Sequence, residues 1–275
     1  MESNKNFYKM VFALVVPIAL QNLINVGVTS ADVIMLGKVS ETVLSASSLG
    51  NQVQFIMSLI FFGLTSGAAV LTAQYWGKGD TKTIEKVLGI ALRFSLTVGV
   101  IFTAVTFIFP KQIMMIFSSE TEVINEGIKY LRIVCFSYIF SSITMIYLNI
   151  MRSVEKVVIS TVVYFISLVL NVILNYVCIL NFGYMAAAYT TAFSYIILLL
   201  VQGILEHKIT GMVIVPLRKT LLIAVVYGAI NLLSMNLYKT AWYFRYAVLI
   251  LVVVAAAIAL RKQMAAVLKM FKKRK

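Results

Sequence analysis

The chain has 275 residues, of which 61% are hydrophobic and only 12% are charged. A soluble domain of this length needs more polar surface, so the composition excludes a soluble globular protein. The formal net charge is +14, but the Lys and Arg residues lie in short segments between apolar runs and in the tail. This distribution indicates membrane topology and contact with anionic membrane lipid, and it argues against a nucleic-acid partner.

Apolar runs of about 19 residues or more recur along the chain, which is the pattern of a polytopic helical membrane protein. The sequence therefore predicts an all-α integral membrane protein with about eight transmembrane helices. The predicted spans are roughly 10–36, 43–75, 84–109, 125–151, 157–180, 185–205, 219–237 and 244–261. Glu206, His207 and Lys208 are assigned to a polar loop after the sixth span.

The Lys and Arg residues also predict the orientation of the spans. If the N-terminus is inside, eighteen of them fall in inner segments and six in outer segments. Cytoplasmic loops carry the excess of Lys and Arg in membrane proteins. We therefore expect both termini to be cytoplasmic in a multi-pass protein of the plasma membrane.

The first span carries a carboxylate at Asp32, which costs about 2.5–3.5 kcal/mol on insertion scales if it lies within the membrane. Gln21, Asn25 and Asp32 fall within roughly 40° of one helix face at about 100° per residue. Pro17, below them, removes a helix hydrogen bond and is a candidate hinge. Two interpretations remain open: a functional carboxylate facing a cavity, or an Asp near the outer interface that reaches water.

Polar stripes on other spans favour the cavity. The fifth span carries a stripe of polar residues at spacings of three and four, comprising Ser160, Tyr164, Ser167, Asn171 and Asn175. Shorter sets lie on the second, fourth and sixth spans, comprising Asn51, Ser58, Thr65, Thr72, Ser141, Ser142, Asn149, Thr190, Thr191, Ser194 and Tyr195. Any one stripe is compatible with a hydrogen-bonded packing core. Several stripes with one carboxylate favour a polar cavity.

Other motifs carry less information about chemistry. Gly63 and Gly67 form a small-xxx-small pair, which predicts close helix packing. The segment "YWGKGD", residues 75–80, matches no phosphate-binding loop, so ATP is not expected to drive this chain directly. Asp32 has no His, Cys or second carboxylate beside it, and this argues against a membrane enzyme.

The chain resembles the MATE (multidrug and toxic compound extrusion) family over about residues 8–205. The resemblance is carried by "VPIALQNLINVGVTSADVIMLGKVSETVLSASSLGNQ", "GLTSGAAVLTAQYWGKGD", "YLRIVCFSYIF", "MRSVEKV" and "LNVILNYVCILNFG". It implies a secondary antiporter of a bacterial cytoplasmic membrane that expels cationic amphipathic compounds, such as drugs and other xenobiotics, in exchange for H⁺ or Na⁺. No other cofactor is implied.

The resemblance also implies roles for particular residues. Asp32 would bind the coupling ion, either a proton or Na⁺, and Pro17 would bend the first helix. The expected cation and substrate cavity consists of Gln21, Asn25, Asn149, Ser167, Asn171, Asn175 and Thr191. Some family members have an aspartate at the position of Asn175, which cannot titrate here.

The chain differs from the family in length. Members have twelve helices in two six-helix lobes, whereas this sequence predicts one lobe at 1–208 and two further helices with a basic tail at 209–275. We therefore expect a truncated or half-transporter that acts as a homo-oligomer or with a partner lobe. The alternatives are a lipid-linked oligosaccharide flippase of the same superfamily, or a membrane assembly module without transport activity.

Overall fold

The computed structural model describes residues 2–212, with side chains from residue 6 onward. These residues form eight α-helices: α1 (Glu2–Gly37), α2 (Glu41–Gly77), α3 (Thr81–Ile108), α4 (Pro110–Phe117), α5 (Thr121–Val134), α6 (Ser137–Ser153), α7 (Val157–Phe182) and α8 (Ala186–Thr210). The seventh and eighth predicted spans and the basic tail lie outside the described residues. The predicted boundary at residue 208 stays a prediction.

The helices confirm a multi-pass, all-α membrane protein. Five of them, α1, α2, α3, α7 and α8, are long and apolar enough to cross a membrane. Helices α5 and α6 meet at an angle of 54° and are long and apolar enough only as a pair, which is either a broken span or a re-entrant loop. The described part of the chain therefore has five spans, or six if this pair crosses the membrane, where the sequence predicts six.

The connection from the third span to the fourth is more structured than the sequence predicted. The eight-residue helix α4 begins with Pro110 at a position where the missing N–H is not needed. The fourth span, predicted as one helix, is broken between α5 and α6. The Thr103 hydroxyl of α3 donates to the Cys135 carbonyl at 2.9 Å. This bond satisfies a backbone group at the break, as burial in an apolar environment requires.

The segment "YWGKGD" is the turn that ends α2 and begins α3. Gly79 adopts a positive φ of 70°, which a glycine accepts without strain. Asp80 then caps α3, accepting from the Thr83 hydroxyl at 2.6 Å and the Thr83 N–H at 3.0 Å. These hydrogen bonds to Thr83 hold the pKa of Asp80 below its usual value. The motif is thus a structural helix cap.

Helix α6 lies at the centre of the lobe. It packs against α2, α3 and α8, while α7 joins α1 to α8 on one side. The side chains of Tyr138, Phe140 and Tyr147 on α6 are almost fully buried. This arrangement turns the polar faces of α7 and α8 toward the interior of the lobe.

Close packing occurs at Gly99 rather than at Gly63 and Gly67. Both residues of the predicted small-xxx-small pair are exposed, and a Cβ on either would meet no neighbouring element of the described chain within 4 Å. The predicted packing role is therefore wrong within this lobe. A Cβ on buried Gly99 of α3 would lie 3.1 Å from the Ser142 hydroxyl of α6.

Gly99→Leu is expected to destabilise the lobe by about 1–3 kcal/mol, because the extra side chain must push α3 away from α6. The Tyr138 carbonyl, 3.3 Å from the position of that Cβ, is backbone and cannot rotate away. The measurement is thermal unfolding of the purified protein in detergent. Gly89→Leu on the same helix is the control, since no neighbour lies within 4 Å of a Cβ there. Equal unfolding midpoints for the two variants would contradict the packing described.

Candidate functional site

Asp32 lies inside the lobe, where α1 meets α7. Its side chain is only 7% exposed, and one carboxylate oxygen accepts a hydrogen bond from the Asn175 amide. The Thr191 hydroxyl of α8 lies beside the same carboxylate but has no formed hydrogen bond. Among the described residues, no Lys, Arg or His forms an ion pair with Asp32. The structure thus favours the buried carboxylate over an Asp that simply reaches water.

A chain of hydrogen bonds extends from Asp32 through α7 to α8. The Asn175 amide nitrogen also donates to the Asn171 carbonyl oxygen at 3.2 Å, and the Thr190 hydroxyl donates to the Asn175 side-chain oxygen. The Asn171 amide in turn donates to the Ser194 hydroxyl at 3.3 Å. Because the members of this chain are buried, the network holds Asn175 in position toward Asp32.

The network borders a cavity of about 630 Å³. Five of the predicted site residues line it, namely Asn25, Asp32, Ser167, Asn171 and Thr191. Across the cavity, the Gln54 amide of α2 donates to the Tyr195 hydroxyl at 2.8 Å. The Tyr130 hydroxyl of α5 donates to Asn51 at 3.2 Å. Among the residues of 6–212 that line the cavity, Asp32 is the only charged one, and none is Lys or Arg.

Four of the predicted residues lie elsewhere. Asn175 is fully buried behind the cavity wall and touches Asp32 from there. Asn149 does not line the cavity, because its amide donates to the Met145 carbonyl of its own helix at 2.9 Å. Pro17 lies within the continuous helix α1. The hinge role of Pro17 stays a prediction.

Gln21 does not line the cavity either, although it shares a helix face with Asp32. The Arg152 guanidinium of α6 donates to its side-chain oxygen from Nε at 3.2 Å and from Nη2 at 3.0 Å. The Gln21 amide nitrogen donates to the Val157 carbonyl of α7 at 3.4 Å. Gln21 therefore ties α1 to α6 and α7, one turn from Pro17.

Sequence reasoning missed Gln54 and Tyr130. The polar stripe predicted on the second span consisted of residues seven positions apart. It therefore included Asn51 and Ser58 but omitted Gln54 between them. Spacings of three and four from Asn51 would have found it. Tyr130 belongs to α5. The charged residues Glu126, Lys129 and Arg132 beside it made a buried face of this helix hard to predict from the sequence.

The site offers the groups that a monovalent cation would require. Asp32 supplies a negative charge that lacks a cationic partner within the described chain, and the surrounding amide and hydroxyl groups supply neutral oxygens. The Tyr130 and Tyr195 rings add aromatic surface, which suits an organic cation. A proton on Asp32 would remove the charge and with it the attraction for any other cation.

Comparison with known proteins agrees with this architecture. The sequence profile of the MatE family matches residues 17–177, which is more than half of the chain. A "probable multidrug resistance protein NorM" of Rhizobium meliloti is 27% identical over 170 residues, covering 62% of this chain and 36% of that protein. The protein of the same name from Thermotoga maritima is 24% identical over 177 residues, covering 64% and 38%.

Solved structures share the fold. One described as an outward-facing multidrug resistance MATE family transporter of the MOP superfamily superimposes with a TM-score of 0.67 at 21% identity, covering 77% of this chain and 48% of that chain. A MOP superfamily transporter from Pyrococcus furiosus, described as having a binding pocket of reverse polarity, gives the same values.

The fold and the cavity define a polytopic helical membrane protein whose described residues form one lobe around a polar site. The chain belongs to the MATE family, whose members are multidrug efflux transporters and not enzymes. It spans between a third and two fifths of the length of the two curated relatives.

Proposed function

We propose that this chain is the ion-binding lobe of a secondary antiporter that expels cationic amphipathic compounds in exchange for H⁺ or Na⁺. The observation that carries the proposal is Asp32, a buried carboxylate with no cationic partner in the described chain, on the wall of a cavity without Lys or Arg. The names of the relatives, which specify multidrug resistance, support the class of substrate.

The proposed mechanism is competition for one carboxylate. When Asp32 is ionised, its charge and the tyrosine rings of the cavity attract an organic cation. When Asp32 holds a proton or Na⁺, that attraction is lost and the substrate leaves. The organic cation binds best when Asp32 is ionised and free, and a bound proton or Na⁺ removes that state. Because each ligand disfavours binding of the other, the two can be exchanged. The Asn175 amide can donate to either form of Asp32, since a neutral carboxyl group keeps an acceptor oxygen.

The proposed transporter needs more than this lobe. The described helices form a single bundle around the Asp32 site, whereas alternating access in transporters comes from movement of one helical bundle against another. We propose that the second bundle is another copy of this chain. A separate partner lobe is the alternative.

Transport by the purified full-length chain in liposomes tests the function. An imposed H⁺ or Na⁺ gradient should drive movement of a fluorescent cationic dye, and a collapsed gradient should stop it. Movement of a lipid-linked oligosaccharide without dye transport would favour the flippase instead. No transport of either, with an assembly of defined mass, would favour an assembly module.

We propose a bacterial cytoplasmic membrane location with both termini inside, and labelling of introduced cysteines tests this orientation. After replacement of Cys135 and Cys178 by Ala, Val39→Cys between α1 and α2 should react with an impermeant thiol reagent added outside intact cells. Lys156→Cys between α6 and α7 should react only after the membrane is opened. The reverse pattern would invert the orientation.

A further inference from the structure

A second buried carboxylate lies at the opposite end of the lobe. The sequence predicted that Glu206 lies in a polar loop. Helix α8 instead continues to Thr210, and Glu206 lies within the last turn and a half of this packed helix. Its side chain is only 1% exposed. The Thr210 hydroxyl donates to Glu206 Oε1 at 3.0 Å. Helical rise places Glu206 about 24 Å along α8 from Thr190, which belongs to the Asp32 network.

Glu206 forms no ion pair with a Lys, Arg or His among the described residues. The titratable groups that act on it are His207 on its own helix, which favours a negative charge on Glu206, and Glu85 on α3, which repels one. His207 is exposed, and its Nδ1 lies 3.1 Å from the Met212 carbonyl. A buried carboxyl group without a cation avoids the cost of its charge by holding a proton.

Gln202 shares a face of α8 with Glu206 and with Leu198, which lines the cavity. Gln202 lies one helical turn before Glu206 and is 3% exposed, yet neither its amide nitrogen nor its amide oxygen has a hydrogen-bond partner in the described chain. The Tyr164 hydroxyl of α7 lies within interaction range of this amide, and Tyr164 itself lines the cavity that contains Asp32. A buried donor and acceptor left unpaired cost free energy, and together they can hold a water molecule.

We propose that Glu206 is a second proton-binding site of the lobe, connected through Gln202 and Tyr164 to the cavity that contains Asp32. The proton leaves or enters the carboxyl group at the cytoplasmic end of α8 and crosses between Glu206 and the Tyr164 hydroxyl by water held at Gln202. The orientation and the use of these protons for exchange rest on the proposed function, whereas the protonation of Glu206 does not.

Infrared difference spectroscopy of the full chain in lipid tests the protonation directly. As the pH is raised, the parent should lose two bands of buried protonated carboxyl groups. Glu206→Gln should lack one of them, and Asp32→Asn should lack the other. Glu85→Gln is the control, because Glu85 is exposed and its replacement should leave both bands. A Glu206→Gln spectrum identical to that of the parent would overturn the proposal.

A second variant distinguishes loss of the carboxyl group from misfolding of the chain. Glu206→Asp keeps a carboxyl group and should retain both bands, with one at a changed position. Because these spectra require no transport, a normal Glu206 band in a chain that fails to expel dye would reject the proposed function alone. An absent Glu206 band in an active transporter would reject this inference alone.

The connection is tested with Gln202→Leu, which removes the water-binding amide at similar volume. In proteoliposomes, a pH jump on the cytoplasmic side should change the Asp32 band at least tenfold more slowly in this variant than in the parent. The Glu206 band should respond as before. An Asp32 response at the parental rate would overturn the connection.

Discussion

Asp32→Asn is expected to abolish ion-driven efflux while the protein still folds and inserts into the membrane. The substitution is nearly isosteric and removes a charge that is costly in a buried site. The introduced amide can still form a hydrogen bond with the Asn175 side chain if that side chain presents its oxygen. What disappears is the ability to bind a proton or Na⁺ in competition with a cationic substrate, so we expect the gradient-driven rate to fall to background.

Asp32→Glu separates charge from geometry. It keeps a titratable group but lengthens the side chain, so we expect a fraction of the parental rate. Glu122→Gln on α5 is the matched control, because Glu122 is an exposed carboxylate away from the cavity. The measurement is dye efflux from liposomes at equal protein content. If Asp32→Asn transports at the parental rate in an assembly shown to be active, then the coupling-ion site lies elsewhere.

The full chain is expected to form a homodimer in native lipid. Polar stripes that faced lipid would require a partner, but the stripes of α7 and α8 face the interior of the lobe. Asn171, Asn175 and Ser194 are buried within the lobe and bonded to one another. The stripes of α7 and α8 therefore need no second lobe.

Exposed residues of α1 and α2 are the reason to expect a dimer. Asn22 of α1 is exposed within an apolar span, Gln52 of α2 is exposed where it lines the cavity, and neither side chain has a hydrogen bond in the described chain. In lipid, each unsatisfied polar group costs several kcal/mol. Gln52 and Gly63 are eleven residues apart, which puts them within about 20° of one face of α2. Exposed glycines on that face allow close approach of another helix.

The dimer is tested by mass and by substitution. The parent should have the mass of two chains in native lipid. Gly63→Leu together with Gly67→Leu should shift most of the protein to one chain without lowering its unfolding midpoint, because no neighbour contacts these glycines within the lobe. Gly89→Leu on α3 should leave the dimer intact. A monodisperse monomer that transports dye would contradict the assembly.

The sequence alone located the five long spans of the described part of the chain and pointed to Asp32 as the centre of the candidate site. An apolar membrane core of roughly 30 Å requires about 20 apolar residues per helix, and such runs are visible in the sequence without a structure. Asp32 is also visible in the sequence, because it is a carboxylate within such an apolar run and requires polar neighbours there. The spacing of polar residues on the fifth span predicted that Asn171 and Asn175 face the interior, and both are buried.

Only the tertiary structure decided which partners these residues meet. Helical periodicity gives the direction of a side chain around its own axis but does not say which helix lies in that direction. Gln21 and Asp32 share a face of α1, yet Gln21 meets Arg152 and Asp32 meets Asn175. Glu206 was predicted to lie in a solvated loop, because the charges beside it obscure the end of the apolar run. Packing of α8 buries it instead, since burial depends on the neighbouring helices and not on the local sequence.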